Sequence, residues 1–333
     1  MKLSYGVLLA YSGLIVVTFI LLFVSFPIGS YLVLNTNLGG NLTYKHSIEF
    51  RDILFISFSP LSSIKIELGL MFIILWLIYL LIFTIAFLGP RRDFLHALYN
   101  LIYEKRTAYG NTQYNYLLKT IIWLGVYLVA TKALDFLQSL FGLRIGEPTT
   151  VGNYLLQFFQ LTSSPLREEF IFRVFLVGVP CLLVLGNMRT IKEIVRTLWH
   201  PGWNRQGPSW IVYSILIMNA LFFGFSHILF ISGWDYGKIL QASIGGWILG
   251  WLYYRYGFPA AVILHWSSNY GIFTYGFYGY VFYGYKWNSE KENPILGSLD
   301  VFLSLIGIIT IGIYIYSFLY NQKNFTVKAS NGT

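Results

Sequence analysis

The chain has 333 residues, of which 56% are hydrophobic and only 11% charged. A soluble globular protein carries about 25% charged residues, and a soluble chain of this length could not cover so much apolar surface with so few polar side chains. The composition therefore excludes a soluble protein and predicts an integral membrane protein. The formal charge of +9 is distributed over short segments between apolar runs, which argues against a nucleic-acid partner.

Eight apolar stretches are long enough to cross a bilayer, because a hydrocarbon core of about 30 Å needs about 20 residues in a helix. They cover residues 5–27, 66–89, 120–142, 165–186, 209–231, 237–256, 259–277 and 297–320. The first has no Ala-x-Ala exit and is predicted to be an uncleaved anchor. The pattern predicts an all-α, polytopic transmembrane helical bundle of about eight spans, in one domain over residues 1–333.

Basic residues between these stretches predict the orientation, because cytoplasmic loops are enriched in Lys and Arg. With a cytoplasmic N-terminus, the inside segments would carry Arg91, Arg92, Lys105, Arg106, Lys119, Arg189, Lys192, Arg196, Arg205, Arg255, Lys323 and Lys328. The outside segments would carry only Lys45, Arg51, Lys65, Arg144, Lys286 and Lys291. We therefore expect both termini to be cytoplasmic, with the plasma membrane as the location. The inside segment 91–106 is predicted to form an amphipathic interfacial helix.

Ionisable residues inside apolar stretches are costly and are functional candidates by default. The fourth stretch opens with Glu168, Glu169 and Arg173, the fifth carries Phe223 and His227 four residues apart, and the seventh carries His265 and Asn269 four apart. Residues four apart lie on one face of a helix, so Glu169 and Arg173 can pair while Glu168 points elsewhere.

These side chains suit hydrolysis by an activated water. A carboxylate and an imidazole can deprotonate a water together, and a second imidazole with a neutral amide can donate hydrogen bonds to an oxyanion. Glu168, His227 and His265 could equally bind zinc and leave a fourth position open. The cofactor therefore stays open, with zinc and a metal-free mechanism as the two alternatives.

The ordered motifs Glu168-Glu169-x-x-x-Arg173, Phe223-x-x-x-His227 and His265-x-x-x-Asn269 resemble the CAAX-protease and bacteriocin-processing family, which includes type II CAAX prenyl endopeptidases. The resemblance covers about residues 120–280, which we expect to be a catalytic core with its cavity within the membrane. It implies an intramembrane endopeptidase that acts on membrane-anchored or lipid-modified peptides. It further implies that Glu168 and His227 activate the water, that His265 and Asn269 form the oxyanion hole, and that Glu169, Arg173 and Phe223 shape the site.

Two other functions fit a polytopic membrane protein. The alternative is a non-catalytic membrane scaffold or interaction protein of the same fold, although such a protein could lose the costly polar residues. A proton-coupled transporter would usually show paired halves with broken helices, and the sequence has no such pairing.

Three expectations concern local structure. The amphiphilic segment 151–163 is either an interfacial helix or part of the fourth span, and a helix that starts near residue 151 and kinks at Pro165 would place Glu168 deeper in the membrane. Lys132 and Asp135 are expected to neutralise each other. The three histidines outside the apolar stretches are expected to be solvated: His46, His96 and His200.

Overall fold

The structure is a computed structural model, which describes residues 5–49, 64–103, 115–146, 153–185, 190–203, 209–230 and 233–330. Helices make up most of these residues, as expected in lipid, where a helix satisfies its own backbone hydrogen bonds. In the first half of the chain the helices are α1 (Tyr5–Asn35), α2 (Leu42–Lys45), α3 (Leu68–Leu88), α4 (Phe94–Tyr103) and α5 (Tyr116–Leu140).

The second half contains the helices that are interrupted by wider turns. These are α6 (Tyr154–Glu168), a π-helical segment (Glu169–Gly178), α7 (Val179–Leu185), α8 (Ile191–Trp199), a 3₁₀ turn (Pro201–Trp203), α9 (Ser209–Phe230), α10 (Gly237–Tyr256), α11 (Phe258–Trp266), a second π-helical segment (Ser267–Gly271), α12 (Ile272–Tyr283) and α13 (Pro294–Ser330).

The apolar stretches of the sequence correspond to these helices, and the all-α membrane bundle is confirmed. In the described residues, five helical segments are long and apolar enough to cross a membrane: Tyr5–Asn35, Leu68–Leu88, Tyr116–Leu140, Trp210–Phe230 and Pro294–Tyr316. The fourth and seventh predicted spans are helical but divided by π segments, and the sixth coincides with α10. The count of eight crossings stays a prediction.

Two features flank the membrane helices. Ser47–Glu49 pairs antiparallel with Lys65–Glu67 in a two-stranded sheet, with Ile48 opposite Ile66, and the helix periodicity gave no indication of this sheet. Helix α4 is the amphipathic helix predicted within 91–106; Lys105 and Arg106 lie outside the described residues.

The fourth span begins early, as the kinked-helix alternative predicted. Helix α6 starts at Tyr154 and runs into the first π segment and then α7 without a break in helical structure, with Pro165 inside it. Residues 151 and 152 lie outside the described part of the chain. The acidic pair Glu168-Glu169 therefore lies in the middle of a long helical segment.

The most buried part of the bundle is α11, which lies in the seventh predicted span. Every residue of α11 from Pro259 to Trp266 is buried. Trp266 stacks on Phe26 of α1 with ring centroids 4.7 Å apart, and the hydroxyl of Tyr270 donates to the carbonyl oxygen of Ser25 at 3.1 Å. His265 is thus carried by the most enclosed helix of the bundle.

The expectation that Lys132 and Asp135 neutralise each other was wrong. Lys132 pairs with Glu290 at 2.6 Å and with Asp300, while Asp135 accepts hydrogen bonds from Gln241. These partners are distant in sequence, with Glu290 in a turn, Asp300 in α13 and Gln241 in α10, so spacing alone could not reveal them.

His200 is buried rather than solvated. Its Nε2 lies 2.9 Å from the carbonyl oxygen of Arg255, in a tight turn between α8 and the 3₁₀ segment. Burial lowers the pKa of His200 to about 4, so the ring is neutral at physiological pH. The turn therefore joins α8 to the end of α10 without carrying a charge.

Close backbone packing of α5 against α13 generates the first prediction. A Cβ on Gly307 would overlap the carbonyl of Gly125, whereas a Cβ on Gly312 of the same helix would meet open space. Overpacking of this kind costs about 1–3 kcal/mol. We expect Gly307→Ala to lower the thermal unfolding temperature of the purified protein.

Gly312→Ala is the matched control, because both substitutions raise helix propensity equally. Equal unfolding temperatures for the two variants would contradict the close α5–α13 contact.

Candidate active site

The structure brings the three polar motifs together. Glu168 and Glu169 lie where α6 passes into the first π segment, His227 lies in the last turn of α9, and His265 lies in the last turn of α11. The Nε2 atom of His265 lies 3.8 Å from Oε2 of Glu168, and its Nδ1 lies 2.8 Å from Oε1 of Glu169. Glu168 and His265 both lie within electrostatic range of His227.

A tyrosine from α3 shapes the helix just before the acidic pair. The hydroxyl of Tyr79 donates to the carbonyl oxygen of Thr162 at 2.7 Å and accepts from the backbone N–H of Leu166 at 3.1 Å. In a regular helix those two backbone groups would bond each other. The hydroxyl is therefore inserted into the helix ladder beside Pro165, which has no N–H to donate.

Glu168 is the last residue of α6 and Glu169 is the first residue of the wider π-helical segment. The π segment Glu169–Gly178 buries Glu169 and Arg173 on its inner side. The second π segment, Ser267–Gly271, carries Asn269. Wider π turns inside α-helices occur frequently at functional sites, and here they set the directions of Glu169, Arg173 and Asn269.

Glu169 is held by two partners. Arg173 donates from Nε to Oε2 of Glu169 at 2.9 Å, and the side chains of both residues are fully buried. The other oxygen of Glu169 faces His265 Nδ1. Because a carboxylate paired with a guanidinium is ionised and can only accept, Nδ1 of His265 must be the donor of this bond.

Arg173 has two further contacts. Its Nη1 donates to Oδ1 of Asn219 at 2.6 Å, and Nδ2 of Asn219 donates to the carbonyl oxygen of Phe172 at 2.8 Å. The guanidinium also lies over the ring of Phe223, 4.9 Å from its centroid. The buried charge is thus compensated by an ion pair, an amide and an aromatic face, as burial of a charge requires.

His227 is oriented by its own helix. Its Nδ1 lies 2.8 Å from the carbonyl oxygen of Phe223, which can only accept, so Nδ1 carries the proton. When the ring is neutral, Nε2 is therefore the nitrogen that accepts. The Phe223 ring lies edge-on between the two imidazoles, with centroid distances of 4.9 Å to His227 and 6.2 Å to His265.

Glu168 differs from Glu169 in its exposure and in its hydrogen bonding. Its side chain is 16% exposed, while that of Glu169 is completely buried. The carboxylate of Glu168 accepts no hydrogen bond from a residue in the described part of the chain. It is the carboxylate in this cluster that can bind a small molecule.

Asn269 is also loosely held. Its Nδ2 lies 3.4 Å from Oγ of Ser164, and its Oδ1 lies 3.5 Å from Oγ of Ser268. Both distances are long for hydrogen bonds, so either bond can be exchanged for one to a ligand. Glu168, His227 and Asn269 are partly exposed, whereas Glu169, Arg173 and His265 are buried beneath them.

The arrangement does not fit the zinc alternative. Within the described ranges, no group of three or more His, Cys, Asp or Glu side chains is placed to hold one metal ion. The bond from His265 Nδ1 to Glu169 leaves Nε2 facing Glu168 and would itself suit a metal ligand, but no third ligand converges on these two among the described residues. We therefore derive no step through a metal.

Sequence reasoning missed three residues that build the site. Asn219 lies four residues before Phe223 and eight before His227, on the same face of an apolar helix, so its spacing could have identified it. Tyr79 and Ser164 gave no such signal, because tyrosines are common in this chain and Ser164 sits among other small polar residues.

Comparisons with known proteins agree with the motif analysis. Residues 150–271 match a family model described as Rce1-like, type II CAAX prenyl endopeptidase Rce1-like. The matched segment contains every motif residue from Glu168 to Asn269. No curated protein and no solved structure shows a significant match to the chain.

The inserted hydroxyl of Tyr79 generates the second prediction. Tyr79→Phe removes the partner of two buried backbone groups, each of which costs about 1–3 kcal/mol when left unpaired. We expect a lower unfolding temperature, measured by thermal denaturation in detergent.

Tyr213→Phe is the control. The Tyr213 ring stacks on Trp251 with planes 7° apart, and the substitution keeps that ring while removing only a hydroxyl. If both variants unfold at the wild-type temperature, the Tyr79 hydroxyl does not stabilise the interrupted backbone between Thr162 and Leu166.

Proposed function

Because residues 150–271 match a family model of Rce1-like type II CAAX prenyl endopeptidases, we propose that this membrane protein is an intramembrane endopeptidase that uses a water activated by Glu168 and His227. The observation that carries this proposal is the contrast between the two adjacent glutamates. Glu169 is buried and fully paired, while Glu168 is partly exposed and unbonded beside two imidazoles.

Glu168 is the general base in this mechanism. Its carboxylate takes a proton from a bound water while the water oxygen attacks the carbonyl carbon of the scissile peptide bond. The acceptor nitrogen Nε2 of His227 holds the second hydrogen of the water and orients its lone pair. Glu168 then returns the proton to the leaving nitrogen as the C–N bond breaks, so no charge accumulates on the departing amine.

His265 and Asn269 are the donors to the oxyanion. Since Nδ1 of His265 already donates to Glu169, Nε2 can donate only if the ring is an imidazolium. Asn269 exchanges its long bond to Ser164 for the oxyanion.

Glu169, Arg173, Asn219 and Phe223 position these groups. Glu169 fixes the ring orientation of His265, and Arg173 fixes Glu169. Asn219 links Arg173 to the π segment, and the ring of Phe223 packs edge-on against both imidazoles. A preorganised site of this kind does not have to reorganise when charge develops in the transition state.

The substrate class follows from the family and the membrane setting. We propose that the substrates are membrane-anchored or prenylated peptides whose scissile bond reaches the site from the bilayer. The excess of Lys and Arg on one side of the apolar stretches supports cytoplasmic termini in a plasma-membrane protein.

The roles of Glu168 and His227 generate the third prediction. General acid–base catalysis contributes about 10²–10⁴-fold to rate, so we expect Glu168→Gln and His227→Gln each to reduce kcat/KM by at least about 100-fold. The assay is cleavage of a fluorescent S-farnesylated peptide by purified protein in nanodiscs. Because neither side chain carries the buried ion network, both variants should unfold at the wild-type temperature.

Glu67→Gln is the matched control, since Glu67 is an exposed glutamate at the end of the small sheet. Turnover by Glu168→Gln at the control rate would overturn the proposed base. Loss of wild-type turnover with a chelator, restored by zinc, would contradict the metal-free step.

A further inference from the structure

Lys238 lies at the same end of the bundle as the proposed water-activating groups. Helices α9 and α10 form an antiparallel pair that touches closely at Gly224, where a Cβ would overlap the backbone oxygen of Ile239 and the hydroxyl of Ser243. His227 follows Gly224 by one turn toward the connecting loop, and Lys238 precedes Ile239 toward the same loop. The side chains of His227 and Lys238 therefore both lie on the loop side of the contact between α9 and α10.

The partners of Lys238 are neutral. Its Nζ donates to Oε1 of Gln241 at 2.8 Å and lies over the indole ring of Trp234, 4.1 Å from the centroid. Gln241 in turn uses its Nε2 to hold both carboxylate oxygens of Asp135, at 3.0 and 2.9 Å. Among the described residues, Lys238 forms no ion pair with a carboxylate.

An ammonium group held this way can take an anion. Lys238 is partly exposed, and a lysine has three N–H donors, of which Gln241 occupies one. Asp135 and, after it, Glu168 lie within electrostatic range of Lys238, and Lys238 lies within range of His227. A carboxylate bound at Nζ would sit beside the reacting groups and would form a charge-assisted hydrogen bond.

We propose that Lys238 binds the C-terminal carboxylate of the peptide substrate and thereby sets how far from the chain end the scissile bond lies. This assignment rests on the proposed function and adds what selects the scissile bond. Trp234 and Gln241 position the ammonium, and the amide of Gln241 bridges it to Asp135, so that Lys238 Nζ keeps N–H donors free for a substrate. A peptide with a blocked C-terminus would leave Lys238 without an anionic partner in the complex.

Binding tests this proposal without requiring turnover. Two fluorescein-labelled peptides with an S-farnesylated cysteine followed by three apolar residues are used, one ending in a free carboxylate and the other in an amide. Their affinities for the full chain carrying Glu168→Ala in nanodiscs are measured by anisotropy. We expect the acid to bind about tenfold more tightly than the amide, which corresponds to about one charge-assisted hydrogen bond.

Adding Lys238→Met should remove this preference by weakening the acid alone, and Lys238→Arg should keep most of it. Unchanged affinity for the amide shows that the variants remain folded. Lys286→Met is the matched control, since it removes an exposed lysine that lies 3.9 Å from Glu292.

Equal affinities of acid and amide for the Lys238-containing chain would overturn the role of Lys238, as would a preference that survives Lys238→Met. If phosphatidylglycerol added to the nanodiscs abolishes the acid preference of the Lys238-containing chain, the ammonium binds a lipid headgroup, and the proposal is also overturned. Wild-type turnover is scored separately: cleavage of neither peptide would overturn the proposed function, whatever the binding result.

Discussion

Glu169 bonds Arg173 with one oxygen and His265 with the other, deep inside the helix bundle. An ionised side chain in such surroundings is tolerated only if its partners are fixed, because removing one partner leaves an uncompensated buried charge. The bond to His265 joins the π segment to the central α11, and Arg173 extends the connection through Asn219 to α9. The same three helices carry Glu168, His227 and His265, so the buried network sets the positions of the groups proposed to react.

The helices that carry the site are also the irregular ones. Tyr79 is inserted into the ladder of α6 at Pro165, and π turns follow directly after Glu168 and around Asn269. Each irregularity costs some of the regular hydrogen bonding that membrane helices otherwise preserve. In return, Glu168 and Asn269 reach the partly exposed side of the cluster, while the paired groups remain beneath.

The sequence predicted the helices well because hydrophobic length and periodicity determine them locally. The bounds 237–256 coincide with α10, and of the two alternatives for segment 151–163 the structure has the early start of the fourth span, with Pro165 inside the helix. Helical spacing also predicted the Glu169–Arg173 pair. Partners that are brought together by packing between distant helices could not be predicted from sequence. Lys132 with Asp300 is one example, and the bond from Tyr79 to Thr162 is another. Asn219 stood between these cases, with a recognisable spacing but no indication of its partner.

A double-mutant cycle on Glu169 and Arg173 tests most directly whether this network organises the site. The free energy of unfolding is measured in bilayer nanodiscs for Glu169→Gln, Arg173→Met and the double variant. Removing one partner of a buried pair costs about 3–5 kcal/mol, whereas removing both can be nearly neutral. We therefore expect the double variant to be more stable than either single variant. Additive losses would show that the two side chains are not coupled and that the position of Glu168 does not depend on them.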